Sequence, residues 1–161
     1  MRKLLVRERV FAIGAKFDIS DENGNSVFLV EADKFDIGKN IHVYSPNKNR
    51  EYYYLQQVIR LGAHKYRVIN ENKNEIGIVE KVFMSPEYTL NSSIGNFTMV
   101  GKNLWGRTYE IKRNSIVVGK FTKPITFITD YYEVEIYNEE NMPLIIGLVI
   151  LIDMVRFHNN N

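Results

Sequence analysis

Apolar and polar residues alternate along most of the chain, in short runs separated by polar turns. In Lys16–Ser20, the apolar Phe17 and Ile19 alternate with polar neighbours. In the segment DYYEVEIYN, Val134 and Ile136 alternate with glutamates in the same way. Because successive side chains of a β-strand point to opposite faces, this pattern predicts strands with one buried and one solvated face.

The alternating runs are organised as hairpin-like units. Each unit reads as an aromatic start, a polar turn rich in Asn and Gly, and a second β-branched run. The units begin about 21 to 25 residues apart, a spacing typical of antiparallel sheets. Their starts are Phe17, His42, Tyr66, Tyr88 and Tyr109. The spacing therefore predicts an antiparallel sandwich or barrel.

The carboxyl-terminal run lacks this alternation. Asn141 is a plausible N-cap, Pro143 suits a first helical turn, and two glutamates precede them at the positive end of the helix dipole. The sequence predicts a helix over 142–157 with a core-forming stretch made of Leu144, Ile145, Ile146, Leu148, Val149, Ile150, Leu151 and Ile152.

Such a helix would be about 24 Å long, whereas a membrane core is about 30 Å thick and needs about 20 apolar residues. Asp153 interrupts the apolar run after roughly a dozen residues. A short helix that is apolar all round is typical of a protein core, so the sheet is expected to surround it. A membrane tail anchor is the alternative.

Composition places the chain among soluble globular domains. Its 161 residues are 45% hydrophobic and 25% charged, and they predict a single domain over 1–161, with strands at about 3–137 and the central helix at about 142–157. A net charge of +2 disfavours a nucleic-acid partner. The absence of cysteine excludes disulfides and thiolate chemistry. The amino-terminal apolar run is too short for an export signal, so a cytoplasmic location is expected.

Three segments resemble the LURP-one-related family of the tubby C-terminal-like superfamily, including its short bacterial members. They are KFDISDENGNSVFLVEADKF (16–35), LWGRTYEI (104–111) and DYYEVEIYNEENMPLIIGLVILIDMV (130–155). The resemblance implies a mainly β fold, a twelve-stranded antiparallel barrel wrapped around a buried carboxyl-terminal helix.

The resemblance implies little about activity. Tubby domains bind phosphoinositides through basic residues, and phospholipid scramblases, which look like distant relatives, act at membranes with calcium. Plant LURP-one proteins are associated with defence. Neither the lipid-binding residues of tubby nor the calcium segment of scramblases maps onto positions in this sequence.

Motifs for catalysis or cofactors are weak. The segment GKNLWGRT (101–108) approaches a phosphate-binding loop, but it precedes a strand where that motif needs a helix. If Gly24 of DENGN (21–25) is the sixth residue of a calcium loop, Ile19 and Val30 occupy the first and twelfth positions, where that loop needs carboxylates. DENGN therefore reads as a hairpin turn. His42, His64 and His158 are not at metal-ligand spacing. We therefore predict no catalytic, cofactor-binding or metal-binding residues.

Two features remain as candidate sites. Basic residues form a candidate surface for an anionic ligand, with members Lys112, Arg113, Lys120, Lys123, Arg60, Lys65 and Arg67. Asp153 either hydrogen-bonds a loop or an arginine such as Arg156 where the helix leaves the barrel, or lines a polar opening there.

Three functional hypotheses follow. The first is a non-catalytic barrel that binds an anionic phospholipid, a membrane surface or another protein. The second is a regulatory or protein-interaction module without lipid contact. The third is an enzyme that uses the mouth of the barrel. A contiguous basic concavity would favour the first, and a surface of alternating charge the second.

Overall fold

The structure is a computed structural model that describes residues 1–11, 14–33, 40–60, 63–102, 107–124 and 131–157. The side chains of Val10, Ile59, Arg60, Ala63 and His64 are not described. In these residues there are twelve strands: β1 (Arg2–Phe11), β2 (Gly14–Asp21), β3 (Ser26–Asp33), β4 (Asn40–Tyr44), β5 (Glu51–Arg60), β6 (Ala63–Asn70), β7 (Glu75–Lys81), β8 (Tyr88–Ser92), β9 (Gly95–Gly101), β10 (Thr108–Arg113), β11 (Ile116–Thr122) and β12 (Tyr131–Ile136).

The strands form a closed antiparallel barrel. Each strand pairs with its neighbours in the chain, and β1 closes the barrel by pairing with β12 in a register that runs from Arg2 opposite Ile136 to Arg7 opposite Tyr131. Closure removes the exposed edges that an open sheet would present. The twelve-stranded barrel that the resemblance implied is confirmed.

The two-residue alternation divides inner and outer faces as predicted. Phe17 and Ile19 are fully buried, as are Val134 and Ile136, while Glu133 on β12 is exposed. The segment DENGN is a hairpin turn, in which the Asp21 carboxylate accepts hydrogen bonds from two backbone amides and Gly24 takes a φ of +81°. The connection at 103–106, within the segment that approaches a phosphate-binding loop, lies outside the described residues.

One α-helix, α1 (Met142–Phe157), follows the strands in the described part of the chain, after a 3-10 turn at Glu139–Asn141. The side chain of Asn138 accepts a hydrogen bond from the Glu140 amide at 3.0 Å and caps this turn. The predicted cap at Asn141 was wrong, because the 3-10 turn moves the first unsatisfied amides upstream.

The helix fills the barrel. Every residue from Leu144 to Val155 is buried, and α1 contacts β3, β4 and β5 on one side and β11 on another. At Gly147, a Cβ atom would lie 3.2 Å from Val43 and 3.3 Å from Leu55, so the missing side chain lets the helix approach this wall closely. The predicted core helix is confirmed. Within the described ranges, no helix is long and apolar enough to cross a membrane.

Candidate functional site

The two ends of the barrel differ in chemistry. The helix α1 begins at the end where β12 finishes and runs to the opposite end, which we call the exit end. There β1, β7 and β11 finish and β8, β10 and β12 begin. The exit end holds Asp153, the polar residue that interrupts the apolar run of the helix.

Asp153 is fully buried at the exit end and is the one buried charged residue among those described. The ammonium of Lys123 lies 3.0 Å from one carboxylate oxygen and 3.1 Å from the other. The hydroxyl of Tyr132 donates a hydrogen bond to the carboxylate at 2.9 Å. Glu8 lies 3.5 Å from the same ammonium. We call Glu8, Lys123, Tyr132 and Asp153 the ionic cluster.

Strand geometry explains how these side chains meet. Lys123 follows β11 by one residue and has the same parity as the inward-facing Phe121, so its side chain also points inward. Tyr132 is inward on β12, and the Lys123 ammonium lies 4.8 Å from the centre of its ring. A buried carboxylate without a partner would be costly, and the cluster supplies both a cation and a hydroxyl donor. The sequence suggested Arg156 as a partner and did not identify Lys123 or Tyr132.

Burial and the neighbouring Asp153 carboxylate raise the pKa of Tyr132 well above 10.0. Tyr132 therefore keeps its proton in neutral solution and remains a hydrogen-bond donor to Asp153. The contacts of Lys123 and Tyr132 with Asp153 therefore link the helix to the barrel wall, because Asp153 belongs to α1 and both partners belong to the wall.

Three further buried tyrosines face inward from β6, β8 and β10. Burial raises the pKa of Tyr66 above its ordinary value and that of Tyr88 to about 12. Burial also raises the pKa of Tyr109, although the nearby Arg156 guanidinium opposes this rise. Arg156 is thus associated with the tyrosines at the end of the helix. These three tyrosines and Tyr132 form a group that the hairpin pattern did not single out.

The predicted basic surface is distributed over separate parts of the barrel. Lys112 lies on the outer side of β10. Lys120 lies on the outer side of β11, where it is opposite Glu110 of β10 and Glu135 of β12. Arg113 lies 2.9 Å from Glu140 and also donates to the carbonyl of Ile94 at 2.9 Å. Lys123 points inward to the ionic cluster. Lys112 and Lys120 are the two members of this group that form no ion pair with a described residue.

The remaining basic residues lie on a different sector of the wall. Lys65 and Arg67 belong to β6, which β7, β8 and β9 separate from β10. Lys65 pairs with Glu80 at 3.2 Å, and Arg67 pairs with Glu75 at 3.1 Å. Arg60 ends β5, and its side chain lies outside the described residues. Among the predicted basic residues whose side chains are described, the structure therefore does not form one basic concavity.

His42 takes part in an aromatic stack on the outer surface. Its ring is nearly parallel to those of Tyr54 and Tyr44, with centroids 4.4 Å and 5.8 Å away. Its Nδ1 atom lies 2.8 Å from a carboxylate oxygen of Glu51. The side chain of His64 and all of His158 lie outside the described residues.

The connection from β7 to β8 exposes two large apolar side chains at the exit end. Phe83 is 90% exposed and Met84 is 88% exposed. The Val82 amide donates to the Glu87 carbonyl at 2.8 Å, and the Ser85 amide donates to the Val82 carbonyl at 3.2 Å. We call Phe83 and Met84 the apolar tip. The alternating pattern of the sequence did not indicate this tip, although VFM between two strands is an unusual composition for a turn.

The backbone of the tip is fixed in an uncommon conformation. Met84 has a φ of +56°, which non-glycine residues rarely adopt, and the Ser85 hydroxyl accepts a hydrogen bond from the Glu87 amide at 3.1 Å. The turn is thus held by several hydrogen bonds while its largest side chains contact solvent. This exposed apolar pair on a hydrogen-bonded turn is a candidate binding surface.

Comparison with known proteins identifies relatives over the whole length. A family model described as LURP-one-related matches residues 2–153. The chain is also 20% identical over 162 residues to the uncharacterized protein YxjI of Bacillus subtilis (strain 168), a match that covers 100% of this chain and 98% of that protein. No solved structure matches the chain.

The family match agrees with the barrel and the central helix. It spans all twelve described strands and ends at Asp153 in α1. The family is not a known enzyme family. With a family model that covers nearly all of its residues, this chain belongs to the LURP-one-related family.

Proposed function

We propose that this barrel is a non-catalytic interaction module that binds a protein partner through the apolar tip. The observation that carries the proposal is the exposure of Phe83 and Met84, at 90% and 88%, on a hydrogen-bonded turn. Phenylalanine and methionine are enriched in the cores of protein interfaces. A small group of such residues often supplies most of the binding energy.

The rigidity of the turn supports this role. A backbone that is already held in place loses little conformational entropy when the turn binds, so the turn is a preorganised support for two apolar anchors. The positive φ of Met84 and the two backbone hydrogen bonds of the turn supply this preorganisation.

The distribution of charge favours a protein over an anionic membrane. Peripheral binding to membranes generally combines apolar insertion with a polybasic surface. Here the cations proposed for such a surface are divided between two sectors, and Lys65, Arg67, Arg113 and Lys123 are ion-paired. Two apolar residues without this second attraction would bind a membrane weakly.

Site-specific photo-crosslinking in cells tests the proposal with the full chain. A photoreactive phenylalanine analogue at position 83 should give a discrete crosslink to another protein, and Met84→Ser should weaken it. The matched control is the same analogue at Ile116, which is 71% exposed but lies at the other end of the barrel. The crosslink should be absent there.

Vesicle sedimentation separates the lipid hypothesis from this one. We expect no pelleting of the purified protein with phosphatidylglycerol vesicles at low salt. Pelleting that is lost in a Phe83→Ser, Met84→Ser variant would overturn the proposal in favour of a membrane surface. Equal crosslinking at positions 83 and 116 would also overturn it.

A further inference from the structure

Sulfur chemistry in this chain is confined to methionine. The sequence contains five methionines and no cysteine, so the thioethers are its oxidisable sulfur groups. Oxidation converts the apolar thioether of methionine into a polar sulfoxide, and the change is reversible. The position of each methionine therefore decides which part of the molecule an oxidant can alter.

Burial separates the five methionines into two groups. Met99 on β9 and Met154 on α1 are 0% and 1% exposed, and Met142 packs against the core. Met84 is 88% exposed and Met1 is 75% exposed. An oxidant dissolved in water must reach the sulfur atom, so the two exposed methionines should react before the other three.

Met84 is the exposed methionine that belongs to the apolar tip. Met1 precedes β1, at the opposite end of the barrel from the tip, and its oxidation leaves the tip unchanged. A sulfoxide at position 84 instead places a polar oxygen next to Phe83, in the pair of side chains that would contact a partner. Oxidation of methionine disrupts apolar interfaces in this way.

The hydrogen bonds of the turn do not use the Met84 side chain. The Val82 amide donates to the Glu87 carbonyl, and the Ser85 amide donates to the Val82 carbonyl. The Glu87 amide donates to the Ser85 hydroxyl at 3.1 Å. Since these bonds join backbone groups and one hydroxyl, and the Met84 side chain lies outside the core, an added oxygen should change the surface of the tip without unfolding the barrel.

We propose that oxidation of Met84 switches off binding at the apolar tip. The Met84 sulfur donates an electron pair to one oxygen of hydrogen peroxide. The O–O bond breaks, an S–O bond forms, and the second oxygen leaves as water. A methionine sulfoxide reductase restores the thioether with electrons from a dithiol, which becomes a disulfide, and the oxygen leaves as water. This inference rests on the proposed protein-binding function of the tip and adds its regulation.

Peptide mass spectrometry of the purified full chain tests the oxidation without a partner. In dilute hydrogen peroxide, Met84 and Met1 should become sulfoxides while Met99 and Met154 remain thioethers. The oxidised protein should keep the cooperative thermal transition of the untreated protein. Met84 that oxidises no faster than Met99 would overturn the proposal. So would loss of the thermal transition at this stage, because oxidation would then act by unfolding the barrel.

Photo-crosslinking from position 83 tests the effect on binding in cells. Peroxide treatment should abolish the crosslink when position 84 is methionine. The matched variant is Met84→Leu, whose side chain has a similar volume and no sulfur, so its crosslink should survive the same treatment. Met84→Gln places a permanent polar group at the tip and should weaken the crosslink without peroxide.

The binding function and its regulation fail with different results. Absence of a crosslink from position 83 in untreated cells would overturn both together. A crosslink that persists after Met84 has been oxidised would overturn the regulation alone. Equal loss of the crosslink with methionine and with leucine at position 84 would also overturn the regulation, because the oxidised group would then lie elsewhere.

Discussion

At the scale of single residues, Lys123 shows how strand parity decides the role of a charge. The sequence places Lys120 and Lys123 close together in one hairpin, and both were assigned to a basic surface. Residues three apart on a strand lie on opposite faces, and the inward Phe121 shows which face Lys123 takes. The sequence therefore contained the signal for an inward lysine, but its partner Asp153 lies 30 residues away and required the fold.

Replacing Lys123 should destabilise the protein strongly. Lys123→Met removes the cation from a carboxylate that is fully buried, and such a change costs about 3–5 kcal/mol. Urea denaturation measures this loss. Lys120→Met is the matched control on the outer face, where a change within about 0.5 kcal/mol is expected.

The double variant Lys123→Met, Asp153→Asn should recover part of the lost stability, because the fully buried side chain at position 153 then carries no charge. Equal losses for Lys120→Met and Lys123→Met would contradict a stabilising role of the ionic cluster.

At the scale of elements, the helix and the hairpins were the most predictable parts. The helix could be predicted because an apolar run without a polar face requires burial on every side, and α1 has this environment from Leu144 to Val155. The hairpins could be predicted because their turns carry residues such as Asn and Gly that tolerate positive φ. The early end of the β11–β12 ladder, at Phe121 opposite Val134, could not be predicted, because it depends on where the backbone of Lys123 donates its hydrogen bond.

A charge in the middle of α1 should prevent stable folding. Ile150 is fully buried, so Ile150→Asp places a carboxylate in an apolar interior without a designed partner. We expect an insoluble protein or one without a cooperative unfolding transition, as measured by circular dichroism on heating.

The same substitution at Ile116 is the matched control for position 150. Ile116 is 71% exposed at the start of β11, so Ile116→Asp should fold and unfold cooperatively. A cooperative transition of Ile150→Asp at the wild-type temperature would show that the helix does not occupy the core.

At the scale of the whole molecule, ion pairs across the strands neutralise much of the outer surface. Lys65 with Glu80 and Lys102 with Glu110 are examples, at 3.2 Å and 3.1 Å. Composition indicated a nearly neutral protein, with a net charge of +2. It could not indicate whether basic residues cluster, because residues of one surface come from strands that are distant in sequence. The basic candidates were therefore the least predictable part of the site.

Because of its buried tyrosines, the whole barrel should become less stable as the pH rises into the alkaline range. The pKa of Tyr88 is raised from 10.0 to about 12 by burial, and burial raises the pKa of Tyr66 and Tyr132 as well. Above pH 10.0 the unfolded chain releases these protons while the folded barrel retains them. The unfolded state then binds fewer protons, so the free energy of unfolding falls as pH rises.

For Tyr88, this contribution is fully present below pH 10.0 and is lost as pH rises toward about 12. Each such tyrosine lowers the free energy of unfolding by about 1.4 kcal/mol per pH unit in that interval. Urea denaturation at a series of pH values measures the slope, and tyrosinate absorbance reports whether the buried phenols ionise only on unfolding. Tyr88→Phe should reduce the slope by the contribution of one tyrosine, about 1.4 kcal/mol per pH unit. The free energy of unfolding of this variant at neutral pH is the reference for its values at higher pH. Identical slopes for Tyr88→Phe and the wild type would mean that Tyr88 ionises in the folded barrel as readily as in the unfolded chain.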